Sequence, residues 1–425
     1  MSAVHRAAAQ VDKVVISLTG ASRTQPGIAV LAGRGLDSVR TIVQRDLQNS
    51  DRFTVAALTD SVGTLSAAFD SVSARSLTGL FYVVELQPVA NGVAVNLWDV
   101  TTGVVRQRAL YGVDPSGSGD SRITIHRVSD QIVNWTGGIG IAATRIAFKM
   151  KNGIEDAIWR IDNDGTNLVR VSRGGGGAYT MTPAWSPDGT MVSYSEHRDS
   201  RWTLYIQKLA TGTRTAVTSM APGDMYGGYF SPDGRSMVFT YGPPGGSGST
   251  IATVNSAQNC CAHELTHDRR NADNVSASYS PNGRHIAYIS TRTGSQQVWV
   301  MDDDGLNAEQ QVPPDFKENG RALDSYSPAW SPDNTRIAFA RDMADGGRQL
   351  FSWSVGGVRP VRLTSIGRNE DPSWAPDSRH VVFKSGRTGR EQLWIYDVET
   401  GTFRQFSTPG DARYPAWSRV FGTNP

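Results

Sequence analysis

Beyond residue 140 the chain is written in short apolar runs, each closed by turn-forming residues. Runs at 191–194, 237–240, 286–289, 337–340 and 381–384 are followed by second runs at 204–206, 298–300, 350–352 and 393–395. Endings such as Val217-Thr218, Leu265-Thr266 and Leu363-Thr364 come next. Apolar runs of this length, bounded by Gly, Asp, Asn and Pro, predict strands joined in hairpins. One signature precedes them: an aromatic residue followed by Ser-Pro-Asp-Gly or a close variant, at Trp185, Phe230, Tyr279, Trp330 and Trp374, and cut short after Trp417-Ser418. From aromatic to aromatic the steps are 45, 49, 51, 44 and 43 residues, the size of one four-stranded propeller blade. The tetrapeptide itself is a type I turn, with proline setting φ at the second position and glycine suiting the fourth. The strand pair at 145–148 and 158–161 has no signature before it, and Trp417 has no strands after it. Pairing the C-terminal strand with that first pair closes a ring of six blades and removes the exposed inner sheet edge that the first pair would otherwise carry.

The N-terminal third follows a different pattern. Runs at 14–16, 28–31, 53–55, 80–84 and 93–98 read as strands. Asp37 is placed to cap a helix from Ser38 to about Leu47, with Val39, Ile42, Val43 and Leu47 on one face. A second helix is predicted from Ile123 to Trp135, closed by Gly137-Gly138. The fold class predicted is therefore an α/β N-terminal domain plus an all-β six-bladed β-propeller. The divisions are a tail or signal-peptide remnant over 1–12, the α/β domain over 13–139 and the propeller over 140–425. Within the tail, Ala7-Ala8-Ala9 resembles a signal-peptidase site, but His5 and Arg6 stand where an apolar segment belongs.

Composition narrows the function. The 42 basic and 40 acidic residues leave a net charge of +2 with no Lys/Arg block, so no nucleic-acid partner is expected. No run of eighteen apolar residues occurs, so no membrane-spanning helix is expected. The two cysteines, Cys260 and Cys261, are neighbours; adjacent Cα atoms lie about 3.8 Å apart, short of the roughly 4.4–6.8 Å of an ordinary disulfide. They are read as unpaired thiols in a loop.

The catalytic candidates are weak. His263-Glu264-Leu265-Thr266-His267 matches the zinc-peptidase pattern His-Glu-x-x-His, but that chemistry needs a helix so that both histidines face one metal. Here Leu265-Thr266 falls at the strand-end position of the repeat. Asp162-Asn163-Asp164-Gly165 and Asp302-Asp303-Asp304-Gly305 sit at hairpin turns and lack calcium-loop spacing. Neither Gly-x-Ser-x-Gly nor a phosphate-binding loop is present. The chain is read as a non-enzyme without a cofactor, a cation such as calcium at the acidic channel mouth being the one alternative.

Gly27-Ile28-Ala29-Val30, the segment 42–50 followed by Arg52-Phe53, and 129–133 followed by 144–148 resemble the amino-terminal domain of the TolB family. With the blade repeat, the resemblance covers nearly the whole chain. It implies a monomeric periplasmic adaptor of the Tol–Pal system, serving outer-membrane integrity and cell division. It implies a Pal-like lipoprotein on the propeller and a TolA-like protein at the N-terminal end. The alternative is a secreted or periplasmic propeller that binds another protein or a carbohydrate, since fold alone does not fix function.

The loops leading into each aromatic signature are expected to cluster at the mouth of the central channel, where a rigid scaffold positions them. They carry Tyr179 and Met181; Asp224, Met225 and Tyr226; Asp273 and Asn274; Asp324 and Tyr326; Asn369, Glu370 and Asp371; and Arg413 and Tyr414. Aromatics and methionines mixed with Asp and Arg suit a protein interface, and the resemblance implies that Pal docks there.

Overall fold

The computed structural model describes residues 25–420, apart from 57–78, 115–119 and short breaks at 175–176, 221, 247, 268–271, 314–315, 318–319 and 321. The predicted strand at 14–16 lies outside the described residues. The N-terminal unit is a five-stranded mixed sheet in the order β2-β1-β3-β4-β5. Its strands are β1 (Gly27–Ala32), β2 (Thr54–Ala56), β3 (Leu80–Val89), β4 (Gly92–Asp99) and β5 (Val104–Tyr111). Strand β1 runs parallel to β2 and β3, while β3, β4 and β5 form an antiparallel meander. Helices α1 (Asp37–Asn49) and α2 (Asp120–Trp135) pack on this sheet. Val39, Ile42, Val43 and Leu47 of α1 share one core with Ile28, Val30, Val84 and Leu86 of the sheet and with Ile125, Val128 and Ile132 of α2.

Both helices begin earlier than the sequence suggests. Residue 36 occupies the N-cap position without a side-chain cap, and Asp37 is the first helical residue. Its carboxylate accepts from Arg40 Nη2 at 3.0 Å and favours the positive end of the helix dipole. The end of α2 follows expectation: Gly137 has φ of 85°, and the Gly138 N–H returns to the Val133 carbonyl at 3.0 Å, the glycine-dependent helix stop.

Six four-stranded antiparallel sheets make the propeller. The C-terminal strand Asp411–Trp417 is the innermost strand of the first blade, paired with Arg145–Asn152. Trp417 packs with Phe148, Ile146 and Ile395 and donates from Nε1 to Thr144 Oγ1 at 2.8 Å. The aromatic of the repeat also welds blades to each other. Trp185 donates to the Ala416 carbonyl at 3.0 Å and Trp374 to the Ala329 carbonyl at 3.1 Å.

The turn after the aromatic owes its sequence to its hydrogen bonds. Ser186 Oγ accepts the Met191 N–H at 2.9 Å and donates to Asp188 Oδ1 at 2.5 Å, while the Gly189 N–H closes the turn on the Ser186 carbonyl at 2.9 Å. The same set recurs at Ser231, Ser280 and Ser331. Each turn thereby satisfies backbone groups that would otherwise be buried without partners.

Candidate functional site: the channel mouth

Each blade's innermost strand runs from the mouth of the channel down to the Ser-Pro-Asp turn. These strands are Tyr179–Trp185, Asp224–Phe230, Asn274–Tyr279, Ser325–Trp330, Asn369–Trp374 and Asp411–Trp417. The sequence-predicted residues are therefore mostly strand residues rather than loop residues. Asp273 and Asp324 alone stand just before a strand. Every one of the six strands carries a bulge against its neighbour. The bulge residue lies three positions before the aromatic and has positive φ in all six blades: Thr182 (48°), Gly227 (65°), Ser276 (57°), Ser327 (49°), Asp371 (56°) and Tyr414 (52°). All six line a central cavity of about 840 Å³. Left-handed conformations at five non-glycine residues are unfavourable; the sheet geometry holds them there, and bulges commonly re-aim side chains at sites.

The bulge sorts the candidate residues into registers. One position before it stand Met181, Tyr226, Val275, Tyr326, Glu370 and Arg413, all half-buried. Two positions before it stand Thr180, Met225, Asn274, Ser325, Asn369 and Ala412, all buried. Met225 belongs to the core of its blade. The Asn369 amide donates to Gln349 Oε1 at 2.7 Å and Asn274 lies against the Ser249 carbonyl at 3.3 Å, so both tie strands together inside the blades. Asp224, Asp273 and Asp324 brace neighbouring loops: they accept from the Trp202 N–H (2.8 Å), Ser249 Oγ (3.0 Å) and the Gln296 N–H (2.9 Å).

On one side the rim is an alternating chain of charge. Arg348 stacks on the Tyr326 ring at 3.6 Å and bonds Glu370 at 2.9 Å; Glu370 also binds Arg368 and Lys384; Lys384 reaches Glu391, which binds Arg413. Lys149 sits 3.3 Å over the Tyr179 ring and pairs with Asp156. The opposite side is aromatic: Trp202 packs between Tyr179 and Tyr226, with centroids at 5.8 and 6.2 Å. Deeper in the channel Asp371 accepts from Ser327 Oγ at 3.0 Å. Burial, and then the neighbouring Glu370 charge, pushes its carboxyl up to about 6.

The far end of the propeller faces the N-terminal unit. The sequence did not single out this face. Asp130, Asn134, Ile139 and Gly140 of α2 and the turn after it line the lower channel. Asp130 accepts the N–H groups of Ala142 (2.6 Å) and Ala143 (3.0 Å), and burial pushes its carboxyl up to about 7. His380, fully buried, places Nδ1 2.7 Å from Asp377 and Nε2 3.2 Å from Asp51, across the domain boundary. Beside it Arg379 bonds Asp397 and the Asp51 carbonyl. A second cluster joins His126 and Asp46 (2.7 Å) with Arg122 and the turn residue Asp164. Asp164, read from sequence as a plain hairpin turn, is thus an anchor for the N-terminal helices. Burial alone would lower the His380 pKa, but its bonds to Asp377 and Asp51 raise it to about 9. Among the described residues the one group with metal-ligand spacing is Asp51, His380 and Asp397, and there the Arg379 guanidinium already neutralises Asp397.

The zinc-peptidase pattern has no helix. His263 is exposed on the edge strand Cys260–Glu264, and His267 is exposed beyond its end.

The comparisons with known proteins agree with this architecture. A family model described as the TolB beta propeller domain matches residues 133–323 and 321–420. Tol-Pal system protein TolB of Albidiferax ferrireducens is 33% identical over 215 residues, 48% of this chain and 49% of that protein. The protein of that name from Methylococcus capsulatus is 36% identical over 203 residues, 44% of this chain and 45% of that protein. The chain spans about half the length of the curated relatives it matches. The crystal structure of TolB from Acinetobacter baumannii superposes with a TM-score of 0.79 at 25% identity, covering 93% of this chain and 97% of that one. Hydrazine synthase of Kuenenia stuttgartiensis, at 12% identity and a TM-score of 0.54 over 65% of this chain and 46% of that one, shares the fold alone. With the propeller model matching more than half of this chain, and both the α/β unit and the six blades superposing on a TolB structure, the chain belongs to the TolB family.

Proposed function

We propose that this chain is a non-enzymatic periplasmic adaptor of the Tol–Pal system. It holds a Pal-like lipoprotein at the channel mouth and a TolA-like protein at its N-terminal end, in support of outer-membrane integrity and cell division. The observation that carries the reading is the ring of half-buried Met181, Tyr226, Tyr326, Glu370 and Arg413, presented by rigid strands on the end of the propeller away from the N-terminal unit. Aromatic, methionine and arginine side chains at the centre of a patch are the usual anchors of a protein interface. The non-enzymatic reading draws on the same geometry. His380, Asp130 and Asp371, whose titration is displaced, are each held by intramolecular partners. The names of the relatives supply the system, and the TolA-like contact rests on family membership. No helix among the described residues is long and apolar enough to cross a membrane.

Calorimetric titration with the soluble domain of the source organism's Pal-like lipoprotein tests this. One-to-one binding is expected, weakened at least about tenfold, or 1.4 kcal/mol, by Met181→Glu and by Tyr226→Ala. Absence of binding between two folded proteins would refute the Pal assignment and favour a different protein or a carbohydrate as ligand.

A further inference from the structure

Cys260 and Cys261 lie on Cys260–Glu264, the outermost strand of the third blade, and play no part in the mouth or the domain interface. Successive side chains on a regular strand point to opposite faces, which would keep neighbouring thiols apart. Here the strand is bulged. Cys260 pairs with Asn255 and His263 with Thr253, so Cys261 and Ala262 together oppose Val254. Cys261 takes φ of 61°. That left-handed residue turns its side chain to the same side as Cys260, and the two sulfurs come to 2.7 Å. The preceding turn is fixed: Asn259 donates from Nδ2 to the Ala216 carbonyl at 2.9 Å and accepts the Thr218 N–H at 3.2 Å, both on the neighbouring blade. Cys261 is exposed and Cys260 half-buried, so a reagent reaches one thiol first.

We propose that Cys260-Cys261 is a reversible thiol–disulfide site, which takes a disulfide oxidant from solution and closes to a vicinal disulfide. The exposed Cys261 thiolate attacks one sulfur of the oxidant and expels a thiolate, leaving a mixed disulfide. Cys260, having given its proton to solvent, then attacks the Cys261 sulfur and expels the second thiol. The two cysteines lose two protons and two electrons, and the oxidant gains them as two thiols. The order follows from exposure, and from the hydrogen bond to Cys261 that raises the Cys260 thiol pKa and keeps it protonated. Because adjacent Cα atoms sit closer than the usual disulfide span, the closed form is strained and reopens readily with thiols. Placement on the outermost strand lets this happen without disturbing the inner strands that form the channel.

The test uses the full reduced chain, oxidised glutathione as the probe, and intact-mass and peptide mass spectrometry. The expected product is lighter by two hydrogens, carries no glutathione, and returns to the starting mass with reduced glutathione. Cys260→Ser is expected to stop at a glutathione adduct on Cys261. Wild-type chain that accumulates stable glutathione adducts without losing hydrogens would overturn the proposal. So would folded chain that stays unreacted while urea-unfolded chain reacts. The wild-type result decides the matter even where the serine variant fails to fold.

Discussion

Replacing His380 with alanine is expected to cost roughly 3–5 kcal/mol of folding stability, the range for breaking a buried charged pair from one side. The imidazole is fully buried between Asp377 at 2.7 Å and Asp51 at 3.2 Å. Its removal leaves Asp377 buried with its backbone donors, and cuts the side-chain bond between Asp51 and the propeller. The same residue gives the fold a pH dependence. The folded-state pKa of about 9 lies above the 6.5 of an unperturbed imidazole. The stabilisation is therefore complete below about pH 6.5 and is lost as pH rises through about 9, a term on the order of 3 kcal/mol by linkage. Asp397, Arg379 and Arg404 face the same cluster. Burial alone would lower the Arg379 pKa, but the bond to Asp397 holds it above its usual value. Burial lowers that of Arg404 to about 10, so His380 is read below that point. Thermal melts from pH 6 to pH 9 should show the wild-type transition falling with rising pH, and the His380→Ala transition lower but flatter. A variant melt with the wild-type slope would assign the pH dependence to another group.

The second large effect concerns ring closure. Trp417→Ala is expected to cost about 3–5 kcal/mol, as for other buried aromatic truncations. It empties the space beside Phe148 and Ile395 and leaves Thr144 Oγ1 without its indole donor. Deleting the chain from Asp411 onward should be far worse. Arg145–Asn152 would lose its inner partner, and an unpaired strand edge promotes aggregation. Chemical denaturation of Trp417→Ala and solubility of the truncated chain are the measurements. A soluble, cooperatively folding truncation would show that the ring does not depend on this strand.

The propeller was legible because its signature is covalently local. Ser-Pro-Asp-Gly makes its own hydrogen bonds within six residues, so it repeats visibly wherever the turn repeats. The orphan signature at Trp417 likewise forced the closure that Asp411–Trp417 makes. The mouth was legible only in outline. Aromatic spacing placed the right strands there, but the bulge decides which residues face the channel, and without it Met225, Asn274 and Asn369 looked equivalent to their neighbours. The constant three-residue offset between the bulge position and the aromatic is present in the sequence, and would have picked out Thr182, Ser276 and Ser327 beside Asp371 and Tyr414.

The domain interface was missed because it joins residues more than three hundred positions apart, as Asp51 and His380 are. It left one trace. Only the fifth turn replaces the serine, with Ala375; it also carries Ser378 where three turns have glycine and the fourth has Asn334, and Arg379 and His380 follow directly. The blade whose turn loses the serine is the one whose Arg379 and His380 reach the N-terminal unit.

In the proposed function the mouth, and not the face covered by the N-terminal unit, receives the partner. Hydrogen–deuterium exchange of the full chain, with and without saturating Pal-like soluble domain, tests it most directly. The account predicts new protection at 179–182, 224–227, 324–327 and 411–414, with the segments around Asp51 and His380 unchanged in direct contact. Protection confined to the Asp51–His380 face, with the mouth segments exchanging as before, would contradict it.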